Sequence, residues 1–406
     1  MIKFALRRNL IYFLQYIIWS FARDILTLNL EKIYKLGKSC LYLQFMFFGE
    51  LLAGIIMYFS QRKYNKTKKE ENKEQYFLSI KLIRTDSGEL VPKDSKKKIF
   101  FLIFLVSSLD LIEFLLFSIY LPKLYNISKS LTQRLYGFTT IFSLFFYVYA
   151  LKLPVYKHHI FSLLIIGICL MAIIGCEFCF LNTGIFTSYK YLCIAIVYIM
   201  FGQMLLSCII SIEKYLFEYD YMNPFAVLIY EGAIGFLLSF LTLIQQIYYY
   251  DFSSVIKNLE AGKIVGFVFM LIGYSILSGG EYLFRLMTTK IFSPMVTTLA
   301  EYVLNPLYFI YFYFGLNDFI HKNNQGVEEL NVPNFIINII ISLIISFFGC
   351  VYNEFIILFF CGLEVDTHDQ VSKRANIKAS QETKVELIKI DEEDISFDDD
   401  RDSIIK

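Results

Sequence analysis

Charged residues are missing from long stretches of this chain, and their absence indicates its class. Of the 406 residues, 56% are hydrophobic and only 18% are charged. The apolar residues stand in long blocks, whereas a helix on the surface of a soluble domain alternates apolar and polar faces. The sequence therefore predicts an all-α integral membrane protein, with the lipid bilayer as its solvent.

Histidine is also scarce, aspartate is scarce inside the apolar blocks, and the net charge is small. The chain has four histidines and a net charge of +1, and no histidine lies inside an apolar block. A membrane-embedded transferase or protease would need a histidine or paired aspartates deep within its spans, and Asp110 is the only aspartate well inside one. We therefore expect no enzymatic activity and no catalytic residue, and the small net charge predicts no nucleic-acid partner.

The eight cysteines lie mostly inside the apolar blocks. Their expected role there is that of small buried apolar residues. Redox or metal chemistry is the alternative at Cys176 and Cys179, which form a C-x-x-C string. We expect neither a cofactor nor a bound metal.

Nine apolar blocks are long enough to cross a bilayer, whose hydrocarbon core of about 30 Å takes roughly 20 helical residues. They cover 41–60, 98–121, 130–151, 160–180, 190–212, 224–248, 262–284, 294–316 and 334–362. A weaker block, 9–29, contains the adjacent pair Arg23 and Asp24. We expect it to span as well, because ten spans return both termini to one side. A cleaved signal peptide and an interfacial helix are the alternatives for this block.

Two polar segments interrupt this pattern, a charged loop at 61–97 and an acidic tail at 363–406. Most lysines and arginines fall on the side that carries these segments and both termini, which predicts that this side is cytosolic. The loop is expected to be flexible and the tail disordered. The membrane part then divides into 1–60 with the first two spans, 98–180 with spans three to five, and 181–362 with spans six to ten.

The two halves of the chain share short sequence patterns. The second span contains FFGELLAG and the seventh IYEGAIG, so Glu50 and Glu231 each stand four residues before a glycine. SKSLT at 128–132 likewise matches SPMVT at 293–297. Many carriers are built from inverted repeats with the binding site between them, so these matches favour about ten helices in a five plus five inverted repeat.

Carboxylates inside the apolar blocks point to function, because an ionisable group near the bilayer centre costs about 3 kcal/mol or more. Five lie well inside: Glu50, Asp110, Glu113, Glu231 and Glu301, with Glu213 nearer the end of a span. Burial in an apolar environment favours the protonated form of a carboxyl group. We hypothesise that Glu50, Asp110 or Glu113, and Glu231 border a central aqueous cavity, where at least one couples transport to protons.

Arg134, directly after Gln133 at the start of the fourth span, is the cation that the sequence offers to this site. It could bind an anionic substrate or pair with a carboxylate. The alternative is that its side chain extends to the membrane interface.

Four motifs resemble a known family. The strongest, GQMLLSCIISIEKYLFEYDYMNPFAVLIYEGAIGF, carries Gln203, Glu213, Lys214, Pro224, Glu231 and Gly232. The others are LQFMFFGELLAG, then LDLIEFLLFSIYLP followed by ISKSLTQRLYG, and finally YNEFIILFFCGLE. In this order they resemble the drug/metabolite transporter superfamily, specifically the F-type members of solute carrier family 35, from about residue 41 to 363. Arg134 stands earlier here than the family's string places its arginine.

The resemblance implies ten spans in an inverted repeat, endomembrane residence in the Golgi, endoplasmic reticulum or endolysosomes, and dimers in some relatives. It also implies a secondary transporter that carries a nucleotide sugar, an amino acid or a drug-like metabolite by alternating access. Gln133, Gln203 and Lys214 join the candidate substrate and coupling residues on this basis. The alternative is a multi-pass protein that transports nothing and acts as a structural or trafficking partner.

Overall fold

The described residues form ten helices in this computed structural model. The structure describes residues 2–4, 10–34, 40–67, 84–85, 88–89, 94–116, 135–149, 155–179, 189–249, 261–292, 295–310, 332–359 and a few positions between 362 and 370. The helices are α1 Leu10–Tyr34, α2 Cys40–Thr67, α3 Lys96–Glu113, α4 Gly137–Tyr149, α5 Lys157–Cys179, α6 Tyr189–Glu218, α7 Pro224–Tyr249, α8 Ala261–Ile291, α9 Met295–Ile310 and α10 Val332–Tyr352. One helix therefore lies at each of the ten predicted spans.

Six of these helices are long and apolar enough to cross a membrane. Their apolar segments are Leu41–Gln61, Lys96–Leu116, Lys157–Cys179, Tyr189–Glu218, Pro224–Thr242 and Ile264–Ile291, and α4 and α10 contain shorter apolar segments. Large apolar side chains such as Ile56, Met171 and Phe269 are exposed on the outer faces of the bundle, as expected for surfaces in contact with lipid. The structure confirms a multi-pass, all-α membrane protein.

Short antiparallel strand pairs are the exception to the helical architecture. Strand β1, Ile2–Phe4, pairs with β4, Ile356–Leu358, which follows the last helix. A second pair, β2 Arg84–Thr85 and β3 Gly88–Glu89, lies in the loop between α2 and α3. The pairing of β1 with β4 brings the start of the chain to the end of α10, so both lie at the same end of the bundle.

Several helix ends differ from the sequence prediction. The prediction of a continuous last span over 334–362 was wrong, because α10 ends at Tyr352 and the chain turns at Asn353 and Glu354 before entering β4. Glu354 has a φ of 57°, which no helical residue adopts. In the other direction, α2 continues to Thr67, well into the predicted loop at 61–97.

Glycines allow three helices at the centre to touch through their backbones. A Cβ atom added to Gly49 of α2 would lie 2.0 Å from the carbonyl oxygen of Ser275 on α8, and one added to Gly279 would lie 2.3 Å from the Gly49 oxygen. On the other side of α2, a Cβ on Gly232 of α7 would lie 2.6 Å from the Leu51 nitrogen. Small residues at such crossings permit close van der Waals packing where the hydrophobic effect between helices is absent.

Candidate functional site

Four buried carboxyl groups and one arginine meet where α2, α3, α6, α7 and α8 pack together. We call this set the central cluster: Glu50, Asp110, Glu213, Glu231 and Arg285. Glu50 and Glu213 are 0% exposed, Glu231 1%, Asp110 5% and Arg285 6%. The structure thus brings together four carboxylates that the sequence singled out, and it closes them off from solvent.

Arg285 is the cation of the central cluster. Its guanidinium forms an ion pair and a hydrogen bond with Glu213, and its Nη2 atom lies 4.0 Å from Oδ2 of Asp110. The guanidinium also lies over the ring of Tyr282, with 4.4 Å between Cζ and the ring centroid. Such a cation–π contact stabilises a positive charge away from water.

Glu50 and Glu231 are left without hydrogen-bond partners. Among the described residues, neither oxygen of either carboxyl group has a donor within reach. Both groups interact electrostatically with Asp110, Glu213 and Arg285, and Glu231 interacts with Glu50. A buried polar group without a partner is costly, and each one in a native structure needs an explanation, such as a functional role or a water molecule or ion at the site.

A second ion group joins α1 to α8, beside the central cluster. Arg23 forms ion pairs with Glu281 and with Asp24, the latter at 3.0 Å between Nη2 and Oδ1. Glu281 stands one helical turn before Arg285, and Glu281 and Glu50 interact electrostatically. Arg23 and Asp24, which made the predicted first span look weak, therefore lie against protein rather than lipid.

Gln203 belongs to a polar contact between α4 and α6. Thr139 donates a hydrogen bond from Oγ1 to Oε1 of Gln203, and Ser207 donates from Oγ to the backbone oxygens of Thr139 and Gln203 at 2.8 and 2.7 Å. All three side chains are buried. These bonds fix α4 against α6.

Lys214 directly follows Glu213 but points to a different neighbour. Its Nζ atom donates to the backbone oxygens of Lys290 and Phe292 at 3.0 and 2.8 Å and pairs with Glu218 at 2.8 Å. The carbonyls at the end of a helix have no partner within the helix. Lys214 thus caps the end of α8, and the structure does not bring it to the central cluster.

Glu113 and Glu301 lie beside a pair of tyrosines. Both interact electrostatically with Tyr136, and Glu301 also interacts with Tyr16 of α1. The two glutamates are only partly buried. The remaining candidates, Gln133 and Arg134, lie outside the described residues.

Arg285 was missed by the sequence prediction for an identifiable reason. The apolar block was taken to end at residue 284, whereas α8 continues to Ile291. Arg285 follows Glu281 by four residues, a spacing that places both on one helical face. The signal in the sequence is therefore a charged residue directly after the end of the apolar block, one helical turn past Glu281 and on the same face.

The described residues offer no metal site. They contain no group of three or more histidine, cysteine, aspartate or glutamate side chains arranged to hold an ion. The carboxyl groups of the central cluster approach one another from separate helices without that arrangement.

No protein-family model matches the chain, and a search of curated proteins finds no significant match.

Proposed function

We propose that the protein is a secondary transporter that moves a small organic solute by alternating access, coupled to protons at the central cluster. The observation that carries this proposal is the excess of buried carboxyl groups over cations. Ionisable residues placed inside a membrane bundle are costly, and they mark proton relays and solute pathways.

The charge balance of the central cluster favours bound protons. Among the described residues, four ionised carboxylates beside one guanidinium would leave three uncompensated negative charges in a site closed to water. Like charges that share a buried site oppose full ionisation. Protons bound to these carboxyl groups would neutralise the excess in the closed state.

The helix contacts support a five plus five inverted repeat around this site. If each helix of the first half is exchanged with its counterpart five helices later, the contact of α1 with α8 becomes that of α6 with α3. In the same way, the contact between α2 and α8 has its counterpart in the contact between α7 and α3. The contact α4–α6 corresponds to α9–α1, and α4–α5 corresponds to α9–α10. Each of these contacts is present in the structure. Some helices also contact their own counterpart in the other half, in the pairs α2–α7, α4–α9 and α5–α10. With five helices in each half, the second half has the opposite orientation.

Matching sequence in the two halves agrees with this exchange. Glu50 and Gly54 on α2 correspond to Glu231 and Gly235 on α7. A Cβ on Gly54 would lie 2.7 Å from Ile229 of α7, and one on Gly235 would lie 2.3 Å from the ring of Phe47 on α2. The two matched motifs therefore pack against each other, with one unpartnered glutamate from each half.

The family resemblance supports the same proposal from a separate direction. The four motifs that resemble F-type members of solute carrier family 35 include all four carboxylates of the central cluster, Glu50, Asp110, Glu213 and Glu231. An endomembrane location and a homodimer, as in some of those relatives, form part of the proposal.

Transport by purified protein in liposomes tests the proposal. Vesicles with a pH-sensitive dye inside are exposed to nucleotide sugars, amino acids and organic cations, and both solute uptake and proton movement are recorded. We expect one class to move together with protons. Glu231→Gln should abolish the coupling, whereas Glu218→Gln on the exposed end of α6 should retain it. If no solute moves and no proton flux appears, a non-transporting structural or trafficking role is favoured.

A further inference from the structure

An apolar groove runs along α1, where this helix meets the sides of α8 and α9. Its volume is about 520 Å³. Seven of its nine lining residues belong to α1, from Ile17 to Asn29, and Leu277 of α8 and Leu307 of α9 complete it. At 1.5 Å per residue, the α1 wall is about 18 Å long. Of the nine lining residues only Asn29, at one end, is polar.

The groove opens toward lipid rather than toward the interior of the bundle. Ile11, Leu14 and Ile18 stand on one face of α1 at helical spacing, and all three are exposed. Leu307 on the α9 wall is exposed as well. The ion pairs that join α1 to α8 lie on a different face of α1 and leave this surface apolar.

We propose that the groove binds one acyl chain of a membrane phospholipid. The proposal is independent of transport, because it concerns a lipid site on the outside of the bundle. It uses the five plus five repeat proposed above for one comparison between the two halves.

The matching interface in the other half of the repeat is closed by hydrogen bonds. The counterpart of α1 is α6, and the counterpart of α9 is α4. Thr139 of α4 donates to Gln203 of α6, and Ser207 donates to the backbone oxygens of Thr139 and Gln203. In that half the two helices therefore contact each other directly through polar side chains.

Apolar residues occupy the equivalent positions of α1. The two matched glutamates of α2 and α7 are 181 residues apart, and Gln203 and Ser207 follow Ala22 and Leu26 by the same 181 residues. Ala22 and Leu26 both line the groove. The side chains that hold α6 to α4 are thus replaced on α1 by apolar ones, and an apolar groove lies where the other half has a direct contact.

The dimensions of the groove fit a single hydrocarbon chain. A helix from another protein, about 10 Å wide, would occupy roughly 1,400 Å³ over a length of about 18 Å. The groove has little more than a third of that volume. One leaflet contributes about 15 Å to a hydrocarbon core of about 30 Å, so the length of the groove matches the acyl chain of one leaflet.

The lining favours a flexible chain with a polar group at one end. Six of the nine lining residues are leucine or isoleucine, whose branched side chains form an uneven surface. A flexible chain follows such a surface in closer van der Waals contact than a rigid sterol ring system does. Asn29 lies five residues before the end of α1 at Tyr34, about 8 Å along the axis. Its amide N–H can donate to an ester carbonyl oxygen of the lipid near the membrane surface.

Native mass spectrometry of the full chain in detergent tests the proposal. The delipidated protein is titrated with dioleoylphosphatidylcholine, and we expect saturable binding of one lipid per chain. Ala22→Trp fills the groove and should lower the lipid affinity at least about tenfold, because two displaced methylene groups alone account for about that factor. Ala172→Trp adds the same side chain on an exposed face of α5 and should bind as the wild type does. Equal binding by the wild type and Ala22→Trp, or no binding, would overturn the proposal.

Photolabelling of the wild-type protein locates the chain without any variant. Two phosphatidylcholines are used at one lipid per chain, with a diazirine either at the end of an acyl chain or next to its ester. The first should label α1 near Ile17, and the second should label it near Asn29. Even labelling of the outer faces, including Ile56 and Met171, would contradict the proposal. Loss of the label with equimolar cholesterol would identify a sterol site instead. Each of these failures leaves the proposed transport function unaffected.

Discussion

Replacing Gly49 with alanine should force α2 and α8 apart where their backbones touch. The added Cβ atom would lie 2.0 Å from the Ser275 carbonyl oxygen, 2.8 Å from its carbon and 3.1 Å from the Gly279 nitrogen. A carbon atom approaches a carbonyl oxygen no closer than about 3.3 Å in ordinary packing. The helices must therefore separate by roughly 1 Å, since the obstructing atoms belong to a helix backbone and cannot rotate away.

The expected cost follows from two opposing effects. Overpacking of a tight interface costs about 1–3 kcal/mol, and the rigid backbone contact at Gly49 places this case at the upper end. Alanine has a higher helix propensity than glycine by about 1 kcal/mol, which offsets part of that cost. We expect a net loss of about 2 kcal/mol in the free energy of unfolding.

Gly175→Ala on α5 is the matched control, because a Cβ atom at Gly175 meets nothing within 4 Å. It has the same gain in helix propensity without the clash, so it should be neutral or stabilising. The apparent melting temperatures of the two purified variants in the same detergent provide the comparison. If Gly49→Ala melts as high as Gly175→Ala, then α2 and α8 do not cross at Gly49 and the close-packed centre described above is incorrect.

Three further outcomes follow from the contacts. Arg285→Ala should lower the free energy of unfolding by about 3–5 kcal/mol, because it leaves buried carboxyl groups without their cation. The double variant Arg285→Ala with Glu213→Ala should recover part of that loss, as measured by thermal unfolding. Thr139→Val should cost about 1 kcal/mol through its lost hydrogen bond to α6, and an unchanged melting temperature would count against that contact. Cysteines at Lys3 and Ile357, which are paired neighbours in β1 and β4, should crosslink within one chain on mild oxidation, as read by a mobility shift on gels.

The positions of the ten helices could be predicted because hydropathy records length and burial in lipid directly. The ends of the helices could not. α2 extends to Thr67 through a polar sequence, and α10 stops at Tyr352 although the apolar residues continue. In the second case the apolar stretch after Glu354 forms β4 against the start of the chain, a long-range pairing that a hydropathy window does not detect.

The anions of the candidate site were predictable from the sequence, whereas its cation was not. Glu50, Asp110 and Glu231 stand out because a carboxyl group inside an apolar block is rare. Arg285 does not, since an arginine at the end of such a block usually extends to the interface. Only the fold, with α8 packed against α6 and the Arg285 side chain reaching α3, brings the guanidinium to Glu213 and Asp110.

The backbone contact at Gly232 and the two unpartnered glutamates lie on the same two helices, α2 and α7. Their combination indicates how the charge of the glutamate pair controls a conformational change. α2 and α7 carry Glu50 and Glu231, and they touch through their backbones beside these residues. Two like charges at a separation of about 6 Å would repel by about 3 kcal/mol at an effective dielectric constant of about 20, and we take this as the order of magnitude for two ionised carboxylates in one buried site. Each 1.4 kcal/mol shifts a two-state equilibrium by about tenfold, so this repulsion would change the closed population by about a hundredfold. A proton at either glutamate removes the repulsion and permits closure, whereas an ionised pair favours separation of the two helices. A proton-coupled carrier needs such a difference, because its closure must depend on whether the proton is bound.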